Sequence, residues 1–441
     1  MACSRKLPFT VLCALVLSTL AGCKTPSAAD RSHVSQAVDA RFGHALGPKA
    51  NRAVVPDALE RGDPLAEDQA VVVALWNNAQ FHETLVELDL TKADLVQAGL
   101  LPNPEFVYFW PAGNKPFKYL IDFPIEAIWL RPMRLKATVA ENERATARLT
   151  QLALDLIRDT RQGYADLQLA HDRVKVAERA VILRERILEL AETRLKAGDA
   201  SALEVSTARI DAMQSRQELT RVGYEVPVAE ERLRNLTGLS ASAVPLVPEN
   251  TAFDPRTTAE LESLVAEAVQ SRPDALAAAH ATHAAAERAR VARLGWVRFL
   301  GILDATSGGV TGHEFSPALR FTVPIFNRNQ GGIARAEAEL EQLTRRQTTV
   351  HNQIVLDVRT AFARFQQARA ELDLLRKKTR PEVEAAIKRT EAAFEKGGAT
   401  YLFVLETNRQ LIDTYAREAQ LYADLRRAWA ELERSVGRRL R

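Results

Sequence analysis

Apolar residues recur at helical spacing through most of this chain. The longest such stretch, from Arg134 to Lys196, contains no proline and a single glycine. Its apolar residues are seven apart, with alanines between them and one interruption by Arg184: Leu167, Val174, Val181, Leu188 and Leu195, then Ala170, Ala177 and Ala191. This heptad pattern predicts a coiled-coil helix on the order of 90 Å long at 1.5 Å per residue. A helix of that length needs neighbours from the same chain and from other copies.

Two segments replace the helical pattern with alternation, which predicts two strand hairpins. Each hairpin has one face of aromatic and apolar residues: Phe106, Tyr108, Trp110, Phe117, Tyr119, Ile121 and Phe123 in the first, and Val297, Phe299, Gly301, Leu303, Leu319, Phe321 and Val323 in the second. The predicted turns are Pro111–Asn114 and Ser307–Gly309. Four strands of about 8 to 10 residues suit a bilayer crossing. Open strand edges are not tolerated in lipid, so we expect several copies to close the sheet.

The second half of the chain repeats the first. Ala191–Gly238 aligns without a gap with Thr390–Gly437, and each copy predicts a long helix, a tight glycine turn and a return helix. The second return helix has its own heptads, with Glu418 as the exception: Tyr415, Tyr422, Trp429 and Val436, then Leu411, Leu425 and Leu432. The predicted division is a first repeat at 64–240, a linker at 241–257, a second repeat at 258–437 and a basic C-terminal tail at 438–441.

The N-terminus predicts export. Residues 1–22 have a charged start and a short apolar run, as in a signal peptide. The run ends in Leu20-Ala-Gly-Cys23, which resembles a bacterial lipobox and predicts lipid attachment at Cys23. Lys24 follows, a pattern that in Gram-negative bacteria resembles lipoproteins sent to the outer membrane. The alternative is an ordinary signal peptide in which Cys23 is incidental. Residues 23–63 are predicted to be an irregular, lipidated tether.

Composition excludes several classes of protein. Lys and Arg number 59 and Asp and Glu 56, so the net charge of +3 argues against nucleic acid as a partner. Cys3 and Cys13 lie in the predicted signal peptide, which leaves no pair for a disulfide or a cysteine metal site. His280 and His283 are three apart, and we interpret them as a surface pair rather than a metal site. There is no nucleophile motif and no phosphate loop, so we predict no enzyme activity, no cofactor and no metal site.

Local motifs give the strongest resemblance to a known family. Lys196-Ala-Gly198-Asp-Ala-Ser201-Ala-Leu203 and Lys396-Gly397-Gly-Ala-Thr400-Tyr-Leu402 resemble the periplasmic tips of the outer-membrane efflux protein family, the TolC-like channel-tunnels. Leu101-Pro-Asn-Pro104 and Pro324-Ile-Phe-Asn-Arg-Asn-Gln-Gly331 resemble that family's motifs beside the strands. The resemblance implies a mainly α fold with a small β part. Long coiled-coil hairpins of three protomers would form an α-barrel, joined to a β-barrel with four strands per protomer.

The resemblance also implies a docking role for the two tips. Small residues would admit a helical hairpin of a periplasmic adaptor protein, and the leucines would supply apolar contacts. The implied docking residues are Gly198, Ala200, Ser201 and Leu203 in the first tip and Gly397, Ala399, Thr400 and Leu402 in the second. The alternative is that these residues serve only the geometry of the turns.

A pore gate is implied just after the tips. In the family, acidic residues after the second tip ring the periplasmic mouth; Glu406 matches one such position, and Phe403 stands where another acid often occurs. Glu204 is a further candidate in the first tip. Three carboxylates around a narrow pore would attract cations. The alternative is a set of solvated residues on helix faces.

The expected function is that of a homotrimeric exit duct of a tripartite efflux system, anchored in the outer membrane and passive. Its partners would be a periplasmic adaptor, an inner-membrane pump and outer-membrane lipid. The segment Pro324–Gly331 resembles the branch of the family that serves heavy-metal cation exporters. A drug-efflux or type I secretion duct remains an alternative, as does a lipid-anchored periplasmic scaffold without a pore.

Overall fold

The computed structural model describes residues 28–48, 53–112, 117–242, 244–249, 251–255, 257–309 and 312–440. The predicted signal peptide 1–22 and Cys23 lie outside the described residues. The elements in chain order are α1 Arg31–Phe42, α2 Asp57–Glu60, α3 Glu67–Asn77, α4 Ala79–Leu85, α5 Glu87–Gly99, β1 Glu105–Phe109, β2 Lys118–Pro124, α6 Glu126–Ala197, α7 Ala202–Gly223, α8 Glu225–Thr237, α9 Leu261–Ser271, α10 Pro273–Leu294, β3 Phe299–Gly309, β4 Gly312–Phe321, α11 Gln330–Leu374, a π-helical segment Leu375–Thr379, α12 Arg380–Glu395 and α13 Tyr401–Val436.

The predicted class, mainly helical with one small sheet, is confirmed. Helix α6 continues for 72 residues, as the heptad pattern predicts. The small residues of that pattern are buried: Ala170, Ala177 and Ala191 are at most 6% exposed. Alanine seams of this kind let helices approach closely, because no long side chain separates their backbones. None of the described helices combines the length and hydropathy that a membrane span requires.

The chain divides into two compact units. Unit 1 holds the described residues up to His33 together with 85–149 and 273–351, and it contains the whole sheet. Unit 2 holds residues 34–84, 150–272 and 352–440 among those described, and it contains both glycine turns. Helices α6 and α11 contribute residues to both units. The units therefore cut across the predicted repeats 64–240 and 258–437.

The sheet of unit 1 is antiparallel throughout, in the order β1-β2-β3-β4. Its strands have 5, 7, 11 and 10 residues, so the predicted length of 8 to 10 is wrong for β1 and β2. Proline explains one shortened end, since Pro111 has no N–H for the ladder beyond β1. The predicted turn at Ser307–Gly309 is also wrong, because these residues continue β3. Strands β1 and β4 form the two edges of the sheet.

Residues 23–63 are not an irregular tether throughout. Arg31–Phe42 forms α1, in which Val34, Val38 and Phe42 are at most 2% exposed. The physical reason is their spacing: apolar residues four apart line one face of a helix, and that face is buried. Arg41 fixes the end of α1 by donating hydrogen bonds to the carbonyl oxygens of Ser271 (2.7 Å) and Gly437 (3.2 Å).

A buried hydrophobic cluster lies around α6 in unit 2. It comprises Leu59, Leu65, Ala70, Val73, Tyr164, Leu167, Ala170, Ala229, Leu233, Leu239 and Leu246. Tyr164 is fully buried, and its hydroxyl donates to the carbonyl oxygen of Leu65 at 3.0 Å. This contact joins the start of the first repeat to α6. Leu246 adds a residue of the predicted linker to the cluster.

Charged residues are buried beside this cluster. Arg161 of α6 donates to Glu433 of α13, and their side chains are only 6% and 2% exposed. Arg426 of α13 pairs with Glu67 of α3 at 2.8 Å. Burial raises the pKa of both Glu67 and Glu433, although the neighbouring arginines act in the opposite direction. Removing an arginine partner would therefore leave a buried carboxylate unpaired, which is strongly destabilising.

The last described residues dock onto unit 2. Arg438 pairs with Glu267 of α9 (Nη2 to Oε2, 3.0 Å), and the Arg439 guanidinium lies 3.0 Å from Asp68. The amide of Leu440 donates to the buried Glu433 carboxylate at 2.9 Å. The predicted basic tail is thus part of the folded unit over Arg438–Leu440.

Candidate functional site

The two glycine turns of unit 2 have the same backbone conformation. Gly198 has φ +83° and Gly397 has φ +74°, the left-handed region that L side chains rarely adopt. A Cβ at either position would meet nothing within 4 Å. Glycine is therefore required by the backbone conformation and not by a lack of room for a side chain. The amides of the next residues, Asp199 and Gly398, donate back to Arg194 (2.9 Å) and Ala393 (2.8 Å) and satisfy the last helical carbonyls.

The residues after each glycine differ between the tips. Ser201 caps α7, since its hydroxyl accepts from the amide of Glu204 at 3.2 Å. Thr400 precedes α13 in the same extended conformation but makes no side-chain cap. Ala200 and Ala399 are half-buried at both tips. The two turns are thus similar in backbone and distinct in how their return helices begin.

Exposed leucines lie directly after both turns. Leu203 is 75% exposed and Leu402 is 70% exposed, and Phe403 beside it is 58% exposed. Three large apolar side chains are thus accessible at two adjacent helix starts. The structure therefore places the predicted docking residues on accessible tips.

A shared core holds the two tips together. It is formed by residues of both hairpins: Ile187, Ala191, Val205, Ala208, Phe394, Tyr401 and Val404. Arg194 of the first hairpin also lies over the Phe394 ring, 4.5 Å from its centroid. The tips consequently form one surface and not two independent turns.

A hydrogen bond between the hairpins was not predicted from the sequence. The Tyr401 hydroxyl donates to Asp211 of α7 at 3.0 Å, and Arg184 of α6 lies 3.6 Å from the same carboxylate. Burial raises the pKa of Tyr401, and Asp211 and Glu204 add to the effect. One signal in the sequence pointed to Tyr401. It lies two heptads before Tyr415 and so extends the heptad series of Tyr415 and Tyr422 toward the tip. Arg184, which interrupts the heptads of α6, has its explanation in this contact.

The candidate gate residues lie on one exposed face of α13. Phe403 and Glu406 are three apart, and the Glu406 side chain is 48% exposed. Arg409 approaches Glu406 at 3.4 Å, and Gln410 donates to it at 3.3 Å. Arg409 was not among the predicted residues, although it places a positive charge beside the predicted acidic ring. Glu204 belongs to the first tip and is half-buried.

The sheet of unit 1 has one aromatic face, as predicted. Phe106 pairs with Ile121 and Tyr108 with Tyr119, and Ile121 pairs in turn with Leu303. Directly opposed residues share a face, so the register places these side chains together. The Tyr108 and Tyr119 rings stack at 6.2 Å between centroids.

Ion pairs cross the opposite face of the same sheet. Lys118 of β2 lies 2.5 Å from Asp304 of β3, and Arg320 of β4 lies 3.5 Å from Asp122 of β2. One face of the sheet is therefore aromatic and apolar, and the other carries these ion pairs together with apolar residues such as Val107 and Phe109.

The histidine pair of α10 has carboxylate neighbours. His280 lies 3.1 Å from Glu143, and His283 lies 4.0 Å from Glu287. Within the described residues no group of three or more His, Cys, Asp or Glu has the arrangement of a metal site. The side chains of His280 and His283 are 33% and 59% exposed.

The comparison with known families identifies the chain. The profile described as outer membrane efflux protein matches residues 122–239 and 264–438. The chain belongs to the outer membrane efflux protein family. As a member of this family, it is an outer-membrane efflux protein of the TolC-like channel-tunnel fold. Its two matched stretches contain both glycine turns, the whole of β3 and β4, and the last three residues of β2.

Individual relatives cover most of the chain. The cobalt-zinc-cadmium resistance protein CzcC of Cupriavidus metallidurans is 25% identical over 395 residues, 86% of this chain and 91% of CzcC. The pyoverdine export outer membrane protein OpmQ of Pseudomonas aeruginosa is 26% identical over 82% of this chain and 73% of its own. The cation efflux system protein CusC of Escherichia coli O157:H7 is 24% identical over 63% of this chain and 64% of its own.

A solved structure has the same fold. The structure of CusC aligns with a TM-score of 0.72 at 18% identity, covering 89% of this chain and 99% of that chain. This likeness confirms the mainly helical fold with a small sheet that the sequence predicts.

Proposed function

We propose that the protein is the exit duct of a tripartite efflux system, a homotrimer that conducts solutes passively from periplasm to exterior. The observation that supports this most is the joint surface of the two tips. Two left-handed glycine turns, held by one core, present Leu203 and Leu402 as exposed apolar contacts. Such a surface fits the end of a helical hairpin, and we infer that a periplasmic adaptor docks there.

The trimer is supported by the open sheet. Strands β1 and β4 have unpaired edges in a single chain, and exposed edges invite pairing with another chain. In lipid an unpaired backbone edge costs several kcal/mol per group, so closure by further copies is required. Three copies with four strands each give twelve, an even number. Native mass spectrometry in detergent should show three copies, and a stable folded monomer would exclude this proposal.

The cargo proposed is heavy-metal cations. The support is the similarity to CzcC, a cobalt-zinc-cadmium resistance protein, over most of both chains. OpmQ, a pyoverdine export protein, supports the alternative that an organic solute is exported. Deleting the gene should raise the cellular content of cobalt, zinc or cadmium and lower tolerance to them. Unchanged metal content would favour the alternative.

The docking proposal is tested at the half-buried alanines. Replacing Ala200 and Ala399 by Trp should abolish metal tolerance while native mass spectrometry still shows the trimer, because the bulk obstructs the tip surface alone. Ala93 on α5 is exposed and belongs to unit 1, so Ala93→Trp is the matched control. If tolerance survives bulky residues at both tips, the adaptor docks elsewhere.

The lipid anchor is a separate proposal. It is supported by the sequence Leu20-Ala-Gly-Cys23 at the end of the apolar run. Mass spectrometry of the purified protein should show an N-terminal acylated Cys23. A mature N-terminus at any other residue would exclude the anchor without affecting the duct.

A further inference from the structure

A cavity of about 380 Å³ lies in unit 1 between α5, α6 and α10. Its apolar walls come from all three helices and are formed by Ala98 of α5, Ala137 of α6 and Val291 of α10. Arg134 of α6 brings a positive charge to it. Small-molecule sites have this size and this combination of apolar walls with a few polar groups. Neither the tips nor the gate uses this cavity.

The guanidinium of Arg134 has two nitrogens without a partner. Its Nε and Nη2 atoms are buried, and neither forms a hydrogen bond with any of the described residues. Burying a charged donor without an acceptor is costly, because the donor has lost its water. Nε and Nη2 form one edge of the guanidinium, and their N–H groups are nearly parallel. That edge matches the two oxygens of a carboxylate.

A second arginine lies beside the cavity. Arg131 donates through Nε to the carbonyl oxygen of Gly99 at 2.6 Å, and Gly99 follows the lining residue Ala98. The Nη2 atom of Arg131 is also buried and has no hydrogen-bond partner in the part of the chain that the structure describes. Residues three apart on a helix are neighbours, so Arg131 and Arg134 supply positive charge to the same place.

The charges around the cavity leave an excess of one positive charge. Four charged residues pair with one another and are neutral together: Arg144, Glu141, Arg288 and Glu339. The two remaining arginines, Arg131 and Arg134, face one further acid of the lining, the exposed Asp94. A singly charged anion balances this excess. A doubly charged anion such as phosphate exceeds it and meets repulsion from the two acids of the lining.

The position of Arg134 around α6 follows from Trp129. The Trp129 ring lies 5.7 Å from the Phe299 ring between centroids. Phe299 belongs to the aromatic face of the sheet, because Leu303, four residues later on the same strand, pairs with Ile121. Arg134 follows Trp129 by five residues, a rotation of about 140°. It therefore lies on the side of α6 that continues the ion-pair face of the sheet.

We propose that this cavity binds an organic monocarboxylate on the pore side of the protein. The carboxylate accepts from Nε and Nη2 of Arg134, and the apolar part of the ligand packs against Ala98, Ala137 and Val291. The pore-side position rests on the proposed duct, in which the aromatic face of the sheet meets lipid and the opposite face meets the pore. Binding itself requires a single chain, because one chain supplies all three helices.

The test uses 4-fluorophenylacetate and the purified full chain in detergent. Fluorine NMR line broadening should show binding to the wild type, and Arg134→Gln should weaken it about tenfold or more. The matched control is Lys136→Gln, which removes the same charge from an exposed position on the same helix. Lys136 follows Trp129 by seven residues and so lies about 20° from it, on the opposite side to Arg134. Its replacement should leave binding unchanged.

Three further measurements examine the two parts of the site. 4-Fluorobenzyl alcohol, which has no carboxylate, should bind at least about tenfold more weakly than 4-fluorophenylacetate. Inorganic phosphate should not displace the carboxylate. Ala98→Leu should weaken binding by filling the cavity while Arg134 remains. Arg134→Gln should leave the thermal unfolding midpoint unchanged or raise it, because the lost nitrogens had no partner; a lower midpoint would make Arg134 a structural residue.

The outcomes separate this inference from the proposed function. Equal binding to Arg134→Gln, equal binding of the alcohol or displacement by phosphate overturns the carboxylate site and leaves the duct intact. In planar bilayers 4-fluorophenylacetate should lower the conductance of the wild type and not that of Arg134→Gln. Equal effects on both would overturn the pore-side position. A monomer that binds the carboxylate but does not conduct overturns the duct, and with it the pore-side position, but not the binding.

Discussion

The two hairpins of the chain share a sequence pattern and differ in their surroundings. The first return segment, α7 with α8, buries eight residues, among them Arg234 (7% exposed) and Thr237 (1%). The second, α13, buries fifteen, among them Asn408 (0% exposed) and Glu433 (1%). The second return helix is therefore packed over more of its length than the first. The repeat therefore specifies the element, while packing decides which polar residues each copy tolerates.

Equivalent positions of the repeat show how the copies diverged. Glu204 in the first copy aligns with Phe403 in the second. Ala202 aligns with Tyr401, which makes the hydrogen bond to the first hairpin. The second copy has thus exchanged an acid for an aromatic at its tip and gained the link between hairpins.

The largest effect is expected at the buried ion pair of the second return helix. Arg161→Met should lower the free energy of unfolding by about 3–5 kcal/mol, because Glu433 then remains buried without its partner. The double variant Arg161→Met/Glu433→Leu should recover part of that loss. On the first hairpin, Arg216 and Glu185 are 66% and 41% exposed, and Arg216→Ala should cost less than about 1 kcal/mol. Denaturant unfolding measures the free energy of unfolding of each variant. Equal losses for Arg161→Met and Arg216→Ala would contradict the difference between the buried and the exposed ion pair.

A smaller and equal effect is expected at the two turns. Gly198→Val and Gly397→Val should each cost about 1–2 kcal/mol, because an L side chain is strained at positive φ. The cost should match at both tips, since neither Cβ meets a neighbour. Gly223 has no positive φ, and Gly223→Ala should instead stabilise by about 0.4–1 kcal/mol. Thermal unfolding distinguishes the destabilising valine variants from the stabilising alanine variant. A large difference between Gly198→Val and Gly397→Val would show that the two tips have different environments.

The link between the hairpins should depend on alkaline pH. Tyr401→Phe should cost about 0.5–1.5 kcal/mol at neutral pH. Because the folded state raises the pKa of Tyr401 above 10.0, the folded protein holds this proton more tightly than the unfolded chain. The stability that it contributes is complete below pH 10 and is lost as the pH rises further. The difference between wild type and Tyr401→Phe should therefore shrink above pH 10 in unfolding experiments, and a constant difference would argue against the hydrogen bond.

The smallest effect on stability, with a clear effect on conductance, is expected at the gate. Glu406→Gln should weaken cation selectivity and block by multivalent cations in planar bilayers, because the exposed carboxylates attract cations. Arg409→Gln should act in the opposite direction, since it removes the neighbouring positive charge. Phe403→Ala should raise conductance by removing bulk. Unaltered selectivity in both charge variants would make Glu406 a solvated surface residue.

Local sequence patterns predicted the helices and strands. They did not predict the contacts between residues that are far apart in the sequence. The heptads of α6, the turns at Gly198 and Gly397 and the aromatic face of the sheet follow from period and residue type. Helix α1 was missed because only three buried residues mark its short stripe. Arg161 and Glu433 are 272 residues apart, and no local pattern names such a partner. The hydrogen bond between Tyr401 and Asp211 could not be predicted for the same reason, because it depends on how the two hairpins pack.

The docking of the last residues has a consequence for synthesis. Leu440 completes the hydrogen bonding of Glu433, and Arg438 and Arg439 reach acids on α9 and α3. A chain that is still emerging from the ribosome or the export machinery lacks these contacts. Glu433 and the acids on α9 and α3 are then without these partners. Unit 2 therefore cannot reach its final packing until Arg438–Leu440 has been synthesised. Deleting these three residues should leave the Glu433 carboxylate without the Leu440 amide and make unit 2 easier to cleave by proteases.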